Sequence, residues 1–281
     1  MASKHESLDA LFADIADAIR EKTGNTETIP AAEFPSVIRE KFESSPPPPP
    51  LPYLTFRSPS SFTLKVNDTT KHWDGTLEYS TDASTWSTWD GTTTLSSATS
   101  GNKNVLYLRG AGNTVITGNS EDYGWILTGS DIACIGNIET LLDYATVESG
   151  AHPTMAAFCY AYMFCYCDGL TQAPALPATT LAMGCYFGMF RYCDGLTQAP
   201  ALPATTLAEY CYKEIFAGCT SLKLSSTQTE EYTVAYRIPS SGTGTTAKGA
   251  LSDMFIATGG TFKGTLAINT TYYLSNTNTI V

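Results

Sequence analysis

The chain has 281 residues and a formal net charge of −11, and only 15% of its residues are charged. Such a negative field repels phosphate backbones and no basic cluster offsets it, which disfavours nucleic acid as a partner. No run of about 18 apolar residues is present, so no segment is predicted to insert into a membrane. The first 22 residues lack the pattern of a secretory signal, and we therefore expect assembly in a cytoplasm.

Residues 1–45 predict two short amphipathic helices joined by a turn at Gly24-Asn25. Apolar residues recur at helical spacing on one face of each helix, namely Leu8, Leu11, Phe12, Ile15 and Ile19 in the first and Phe34, Val37 and Ile38 in the second. About forty residues bury too little surface to be stable alone. Either the hairpin packs on itself, or, as we favour, these faces form an anchor that binds a partner or further copies of the chain.

A proline-rich segment follows at 46–52, within the string SSPPPPPLP. Five consecutive prolines exclude a helix or a central strand, so the segment is predicted to be an extended polyproline spacer of roughly 20 Å. Proline-rich segments also bind aromatic grooves. No basic residue flanks this one, and the spacer is therefore the favoured interpretation.

Residues 53–130 consist of short β-branched or aromatic runs separated by turn residues, which predicts a β-sandwich. All four tryptophans lie here. Trp86 and Trp89 are three residues apart, so on a strand they would point to opposite faces, one into the core and one outward. An exposed tryptophan near Tyr79 would suit the apolar face of a sugar ring, whereas the simpler interpretation makes both of them core residues.

The string CDGLTQAPALPATTLA occurs at 167–182 and again, unchanged, at 193–208. Segments starting at residues 157, 183 and 209 align without gaps, which gives a period of 26. Five columns match: Cys159, Cys185 and Cys211; Tyr160, Tyr186 and Tyr212; Phe164, Phe190 and Phe216; Cys167, Cys193 and Cys219; Leu170, Leu196 and Leu222. Apolar residues at fixed offsets in a period of this length predict a leucine-rich-repeat-like solenoid over 131–226.

The C-terminal segment 227–281 is predicted to hold an insertion followed by a degenerate capping repeat. Met254-Phe255 would correspond to Met189-Phe190, and Thr270-Thr271 to Thr205-Thr206. The predicted fold class is therefore multidomain and mainly β: an α-hairpin, a β-sandwich, and a solenoid with an atypical cap.

The repeat frame Cys-Tyr-x-x-Met-Phe-x-x-Cys-x-x-Leu-x-x-Ala-Pro-x-Leu-Pro-Ala resembles the BspA-type leucine-rich repeats of gut bacterial surface proteins and their phages. The upstream IACIGNIETLLD (132–143) resembles the segment that precedes such repeats. Separately, residues 11–40 resemble a helical module of structural proteins in phages of Firmicutes. The resemblance implies adhesion or host recognition for the repeats and attachment to the virion for the helical module, and it brings no catalytic residues.

Repeat positions that differ are expected to be free of the stack and to face solvent. They nominate a ligand-binding set of exposed aromatic and basic side chains, to which the two tryptophans are added: Tyr162, Tyr166, Phe187, Arg191, Tyr192, Lys213, Trp86 and Trp89. Ordinary surface variation would explain the same differences. The recurring cysteines predict buried, reduced thiols, and no metal or other cofactor is expected.

Catalysis is not expected. Asp168 and Asp194 recur one repeat apart, but each lies in a Cys-Asp-Gly turn signature, and a glycan depolymerase would need paired carboxylates in a cleft.

The sequence predicts a virion surface protein, in a tail fibre, baseplate tip or head fibre, that attaches to a host glycan or protein. Other virion proteins would bind 1–45, and a homo-oligomer, with a trimer favoured, is expected. A BspA-like bacterial adhesin is the alternative.

Overall fold

The computed structural model describes residues 53–68 and 70–281. The predicted anchor hairpin (1–45) and polyproline spacer (46–52) lie outside the described residues. The chain divides into two units, Met1–Pro50 and Leu51–Val281, and all described elements belong to the second. Its mainly β character confirms the predicted class at that coarse level.

The strands are β1 (Leu54–Ser58), β2 (Thr63–Val66), β3 (Thr76–Ser80), β4 (Ser87–Thr88), β5 (Leu95–Ser96), β6 (Ala98–Ser100), β7 (Lys103–Ala111), β8 (Trp125–Thr128), β9 (Ile132–Ile135), β10 (Leu170–Gln172), β11 (Gln198–Ala199), β12 (Lys223–Ser225), β13 (Val234–Ile238), β14 (Gly259–Gly260), β15 (Thr270–Leu274) and β16 (Thr279–Ile280). Helix α1 (Thr140–Glu148) is kinked at Asp143, and a 3-10 helix spans Glu121–Tyr123. No helix of the described part of the chain is long and apolar enough to cross a membrane.

The strands form three sheets. The largest has the order β4-β3-β7-β1-β9-β10-β11-β16 with β6 also paired to β7, a second has β5-β2-β8, and a third has β13-β15-β12-β14. In the second sheet alternate side chains are buried, as in β8, where Trp125 and Leu127 point inward. Trp89 packs between Trp73 and Trp125, with ring centroids 5.1 and 5.3 Å away. These rings join both sheets of the 53–128 region in one hydrophobic core.

The largest sheet continues across the expected boundary at residue 130. Strand β9 pairs antiparallel with β1 and parallel with β10, so the repeat region extends the same sheet. Gly110 in β7 allows α1 to pack closely, because a Cβ there would collide with the carbonyl group of Leu141. The amide of Asn113 then donates to the carbonyl oxygens of Leu141 (2.9 Å) and Thr76 (2.7 Å). The two regions are therefore parts of one compact unit.

From residue 158 the chain forms four stacked layers: layer 1 (158–167), layer 2 (184–193), layer 3 (210–219) and layer 4 (249–258). In layers 1 to 3, alternate backbone N–H groups donate to carbonyl groups of the next layer. The central pairs are Tyr160 to Cys185 (2.9 Å), Tyr186 to Cys211 (3.0 Å) and Tyr212 to Ala250 (3.0 Å). The intervening N–H groups donate three residues back within their own layer, as Met163 does to Tyr160. The backbone groups of each inner layer are thus hydrogen-bonded either to a neighbouring layer or within the layer.

Identical side chains form columns through the layers. Tyr160, Tyr186 and Tyr212 stack at 5.7 and 5.8 Å, and Phe164, Phe190 and Phe216 at the same two distances. All eight cysteines are buried and free. The Sγ of Cys193 donates to the carbonyl of Phe164 at 2.9 Å, and Cys219 does the same to Phe190. The invariant repeat positions therefore serve packing between layers.

Layer 4 begins where the match of Met254-Phe255 to Met189-Phe190 predicts, since Gly249 precedes Met254 as Gly184 precedes Met189. Met254-Phe255 does lie over Ile215-Phe216, with the Phe216 and Phe255 rings 5.1 Å apart. The predicted match of Thr270-Thr271 to Thr205-Thr206 is wrong, because Thr270 and Thr271 lie in β15, paired with β13. Thr206 pairs in a parallel bridge with Thr245, which precedes layer 4. The ungapped count from Phe255 failed because the chain does not continue the repeat after layer 4 but returns in β15, antiparallel to β13.

Candidate functional site

Every fourth residue of a layer has a left-handed backbone. In layer 1 these are Phe158, Tyr162 and Tyr166, with φ of 57°, 55° and 62°. Apart from Tyr166, which lies over Tyr192, an aromatic ring at such a position lies over a glycine in the next layer, as Tyr162 does over Gly188 and Tyr192 over Gly218. A Cβ on Gly188 would approach the Tyr162 ring to 2.6 Å. The backbone angle therefore favours glycine, and the ring above it leaves no room for a Cβ.

This pairing corrects the expectation that differing repeat positions face solvent. Tyr162 is only 9% exposed and packs against Phe187 at 4.9 Å, and Cys165 is buried beside it. The positions differ because an aromatic residue in one layer matches a glycine in the next. Tyr162 is thus a packing residue and cannot contact a large ligand.

Two predicted residues do form an exposed surface, here named the tyrosine platform. Tyr166 and Tyr192 stack nearly parallel, 4.9 Å apart and 17° from coplanar, and are 59% and 37% exposed. Tyr192 is covered on its far side by Gly218 of the next layer. Within the part of the chain that the structure describes, Tyr192 is the one aromatic ring that stacks on Tyr166. The rest of the Tyr166 side chain is exposed.

Beside Tyr166 lies the platform cleft, a cavity of about 300 Å³. Its lining residues are Asn67, Glu121, Asp122, Gly124, Trp125, Ile126, Cys165 and Tyr166. The 3-10 helix supplies the two carboxylates, those of Glu121 and Asp122. Ser120 caps the N-terminus of this helix by accepting a hydrogen bond from the N–H of Asp122. The cleft therefore combines an aromatic face with carboxylate and amide groups that accept and donate hydrogen bonds.

Arg191 joins the platform to the cleft. Its guanidinium group lies 4.9 Å from the Tyr192 ring centroid and forms an ion pair with Glu121. Its Nε lies 3.6 Å from a carboxylate oxygen of Glu214. Two acidic groups thus balance this one cation, and Arg191 holds Glu121 at the rim of the cleft.

Burial keeps the groups beneath the platform uncharged. It raises the pKa of Tyr162 to about 12, and the carboxylates of Glu214 and Glu121 act in the same direction. Burial also raises the pKa of Cys165 to about 12, again with a contribution from Glu121. The thiol is therefore protonated at neutral pH and is not a nucleophile.

The remaining predicted residues lie elsewhere. The ammonium group of Lys213 lies 4.9 Å from the Phe187 ring and 3.5 Å from a carboxylate oxygen of Glu214. Lys213 and Phe187 are both half-buried and lie on the same side of the stack. Trp89 is 1% exposed, and its indole N–H donates to the carbonyl of Thr93 at 2.9 Å. It is a core residue and is wrong as a ligand contact.

Trp86 is half-buried, so it is neither the exposed ring of one interpretation nor the core residue of the other. Its ring lies 5.3 Å from that of Tyr53 and 4.0 Å from the guanidinium carbon of Arg109. Arg109 also stacks on Tyr144 at 4.5 Å and pairs with Glu78 at 2.8 Å. The contacts of Trp86 are thus with other side chains of this sheet face, and Trp86 is not part of the tyrosine platform.

Asn67, Glu121 and Asp122 were missed by sequence reasoning. They lie outside the repeats, in connections before and after strands of the 53–128 region, and no periodic pattern marks them. Only the docking of layer 1 against that region brings them to Tyr166: the N–H of Trp125 donates to the carbonyl of Met163 at 2.7 Å. No single-segment motif contains this juxtaposition.

Asp168 and Asp194 are both exposed. The Oδ1 of Asp194 accepts from the Thr220 hydroxyl at 3.0 Å, a contact between successive turns of the repeat. No group of three or more His, Cys, Asp or Glu side chains that could hold a metal ion occurs within 53–68 and 70–281.

No family model, curated protein or solved structure matches the chain.

Proposed function

We propose that this chain is a phage virion surface protein that binds a glycan of the bacterial host at the tyrosine platform. The observation that carries the proposal is the exposed side chain of Tyr166 beside a cleft with carboxylate and amide groups. Sugar rings have an apolar face that stacks on aromatic rings and hydroxyl groups that pair with such polar side chains. The proposed function is binding rather than catalysis.

The four layers are proposed to form a short leucine-rich-repeat-like solenoid that presents the platform. The backbone pairing between layers and the Tyr and Phe columns support this assignment. A stack of nearest-neighbour contacts is stiff enough to hold Tyr166 and Tyr192 in register. Its regular edge gives the aromatic pair a fixed orientation toward the cleft.

Attachment to the particle is assigned to residues 1–45, through their two apolar faces, with 46–52 as the spacer. The resemblance of 11–40 to a phage structural module supports this part. Several copies on one particle, as in a trimeric fibre, would add weak contacts by avidity, so a single platform need not bind tightly. A tail fibre, a baseplate tip and a head fibre all satisfy this arrangement.

The first experiment is immunogold electron microscopy of purified particles with antibody raised against 53–281. Label at the tail tip supports host recognition, and label over the head supports a capsid fibre. Signal on bacterial envelopes with none on particles would overturn the virion proposal in favour of the adhesin.

Binding to the host is tested separately with purified full-length chain. It should bind host cells and compete with phage adsorption, and Tyr166→Ala should weaken that binding about tenfold through loss of ring stacking. The matched control is Tyr53→Ala, which removes a tyrosine distant from the platform. Equal loss with both variants would show that the platform is not the binding surface.

A further inference from the structure

The chemical character of the platform cleft narrows the class of glycan. Tyr166 stacks on Tyr192 and lines the cleft. Aromatic faces attract both the C–H face of a sugar and a cation placed above the ring. The aromatic wall alone therefore fits neutral and cationic sugars equally well.

The carboxylates of the cleft differ in their partners. Glu121 is paired with Arg191, whose charge Glu214 also balances. Asp122 is exposed and forms no ion pair with any basic side chain of the described residues. It remains the one uncompensated charge in the lining.

Charged side chains next to the cleft do not cancel the negative charge of Asp122. Asp68, next to Asn67, is paired with His72 at 2.8 Å. Lys65 lies opposite Ile126 in the β2–β8 pair but outside the lining. The lining thus combines two carboxylates, one of them without a basic partner among the described residues, with the ring of Tyr166.

We propose that the platform cleft selects glycans with free amino groups, such as glucosamine units, over N-acetylated, uronic or phosphorylated sugars. This inference rests on the proposed glycan-binding function. A protonated sugar amine would meet Asp122 while its ring stacks on Tyr166. N-acetylation removes that charge, and a uronate or phosphate would place a like charge beside Asp122 and Glu121.

The test is calorimetric titration of the full chain with two matched probes, the glucosamine hexamer and the N-acetylglucosamine hexamer. The titration is run at about pH 5.5, where the sugar amine is protonated. The glucosamine hexamer should bind about three- to fivefold more tightly, the size of an exposed ion pair. Added salt should reduce this ratio.

Variants separate the two parts of the site. Asp122→Asn should weaken the glucosamine hexamer more than the acetylated hexamer and so abolish the preference, whereas Tyr166→Ala should weaken both hexamers about tenfold. Lys65→Gln should increase the preference, because it removes the cation that lies opposite the lining residue Ile126 in the β2–β8 pair. Asp168→Asn, an exposed turn aspartate outside the cleft, is the matched control and should change nothing. Circular dichroism of each variant checks that the fold is intact.

Three outcomes would overturn the inference. Equal affinity for both hexamers removes the amine selectivity but leaves the glycan platform standing if Tyr166→Ala still weakens binding. Binding of hexalysine that depends on Asp122 but not on Tyr166 would reduce the site to plain charge attraction. No binding of either hexamer overturns it outright, while particle labelling and cell binding still decide the proposed function.

Discussion

The first and last layers of the stack end it in different ways. Layer 1 is closed by the upstream segment 116–125, which donates to its outward carbonyl groups. Ile116 N–H bonds Cys159 at 2.8 Å, and Trp125 N–H bonds Met163 at 2.7 Å. The backbone register of the whole stack is therefore set from this end.

Layer 4 has no such closure. The N–H groups that correspond to the donors of layer 3 are those of Gly249, Leu251, Asp253, Phe255 and Ala257. Among the residues that the structure describes, none of these five has a backbone acceptor. They border a groove of about 220 Å³ whose other wall includes Phe262 and Lys263.

The contrast shows that closing a stack involves two separate tasks. The inward apolar side chains of layer 4 are covered, since Phe255 is 5% exposed and packs on Phe216 and Tyr236 at 5.1 and 5.9 Å. Its outward N–H groups are left to water. A cap that hides apolar surface but not backbone groups keeps the layer folded while leaving it the least protected one.

Hydrogen exchange should give the largest difference between the two ends. We expect the amides of Leu251, Asp253 and Phe255 to exchange at least about 1000-fold faster than those of Tyr212, Glu214 and Phe216. The second set donates to layer 4 carbonyls, so its exchange requires opening of the stack. Residue-resolved exchange by NMR measures both sets in one sample. Equal protection would mean that another part of the chain covers the row.

Truncation of one large ring at each end should distinguish their roles. Trp125→Ala should lower the free energy of unfolding by about 3–5 kcal/mol, because Trp125 is buried against Trp89 and Phe164. Phe255→Ala should cost about 3 kcal/mol, at the lower end, because the adjoining groove lets the site relax. Urea denaturation of both variants gives the comparison. A smaller loss for Trp125→Ala would contradict the closing role of the upstream segment.

The left-handed positions offer a test inside the stack and at its open end. Gly188→Ala should destabilise the protein by about 1–3 kcal/mol, since the new methyl group meets Tyr162 at a φ of 57°. Ala257 lies at φ 56° with no layer beyond it, so Ala257→Gly should be stabilising by up to about 1 kcal/mol. Thermal denaturation measures both. Restoration of stability by Tyr162→Ala in the Gly188→Ala background would assign the cost to the ring.

The sequence was sufficient to predict the Tyr, Phe and Cys columns but not the candidate site. A period of 26 identifies which Tyr, Phe and Cys residues share an environment, because stacking places equivalent residues above one another. It does not reveal that Tyr162 and Gly188 differ because they touch. A difference between repeats indicates either exposure or complementarity, and only coordinates separate the two.

The cleft escaped prediction for another reason. Its polar residues, such as Asp122, come from a segment without repeats, and its aromatic residue, Tyr166, comes from layer 1. Their proximity depends on backbone bonds between Trp125 and Met163, which no local pattern encodes. The C-terminal layer was located in part, because Met254-Phe255 kept the repeat frame while the preceding insertion concealed Thr245.

Substitutions in the tyrosine column should show the smallest difference in the free energy of unfolding. Tyr160, nearest the closed end, donates its hydroxyl proton to the carbonyl of Ile138 at 3.2 Å, so Tyr160→Phe should cost about 1 kcal/mol. The buried hydroxyl of Tyr186 has no hydrogen-bond partner within the described structure. Removing an unsatisfied polar atom relieves a desolvation penalty, and Tyr186→Phe should therefore be neutral or stabilising in the same denaturation assay. A loss of 1 kcal/mol or more on Tyr186→Phe would instead show that this hydroxyl is bonded, with buried water as the partner, and that the column is hydrated along its length.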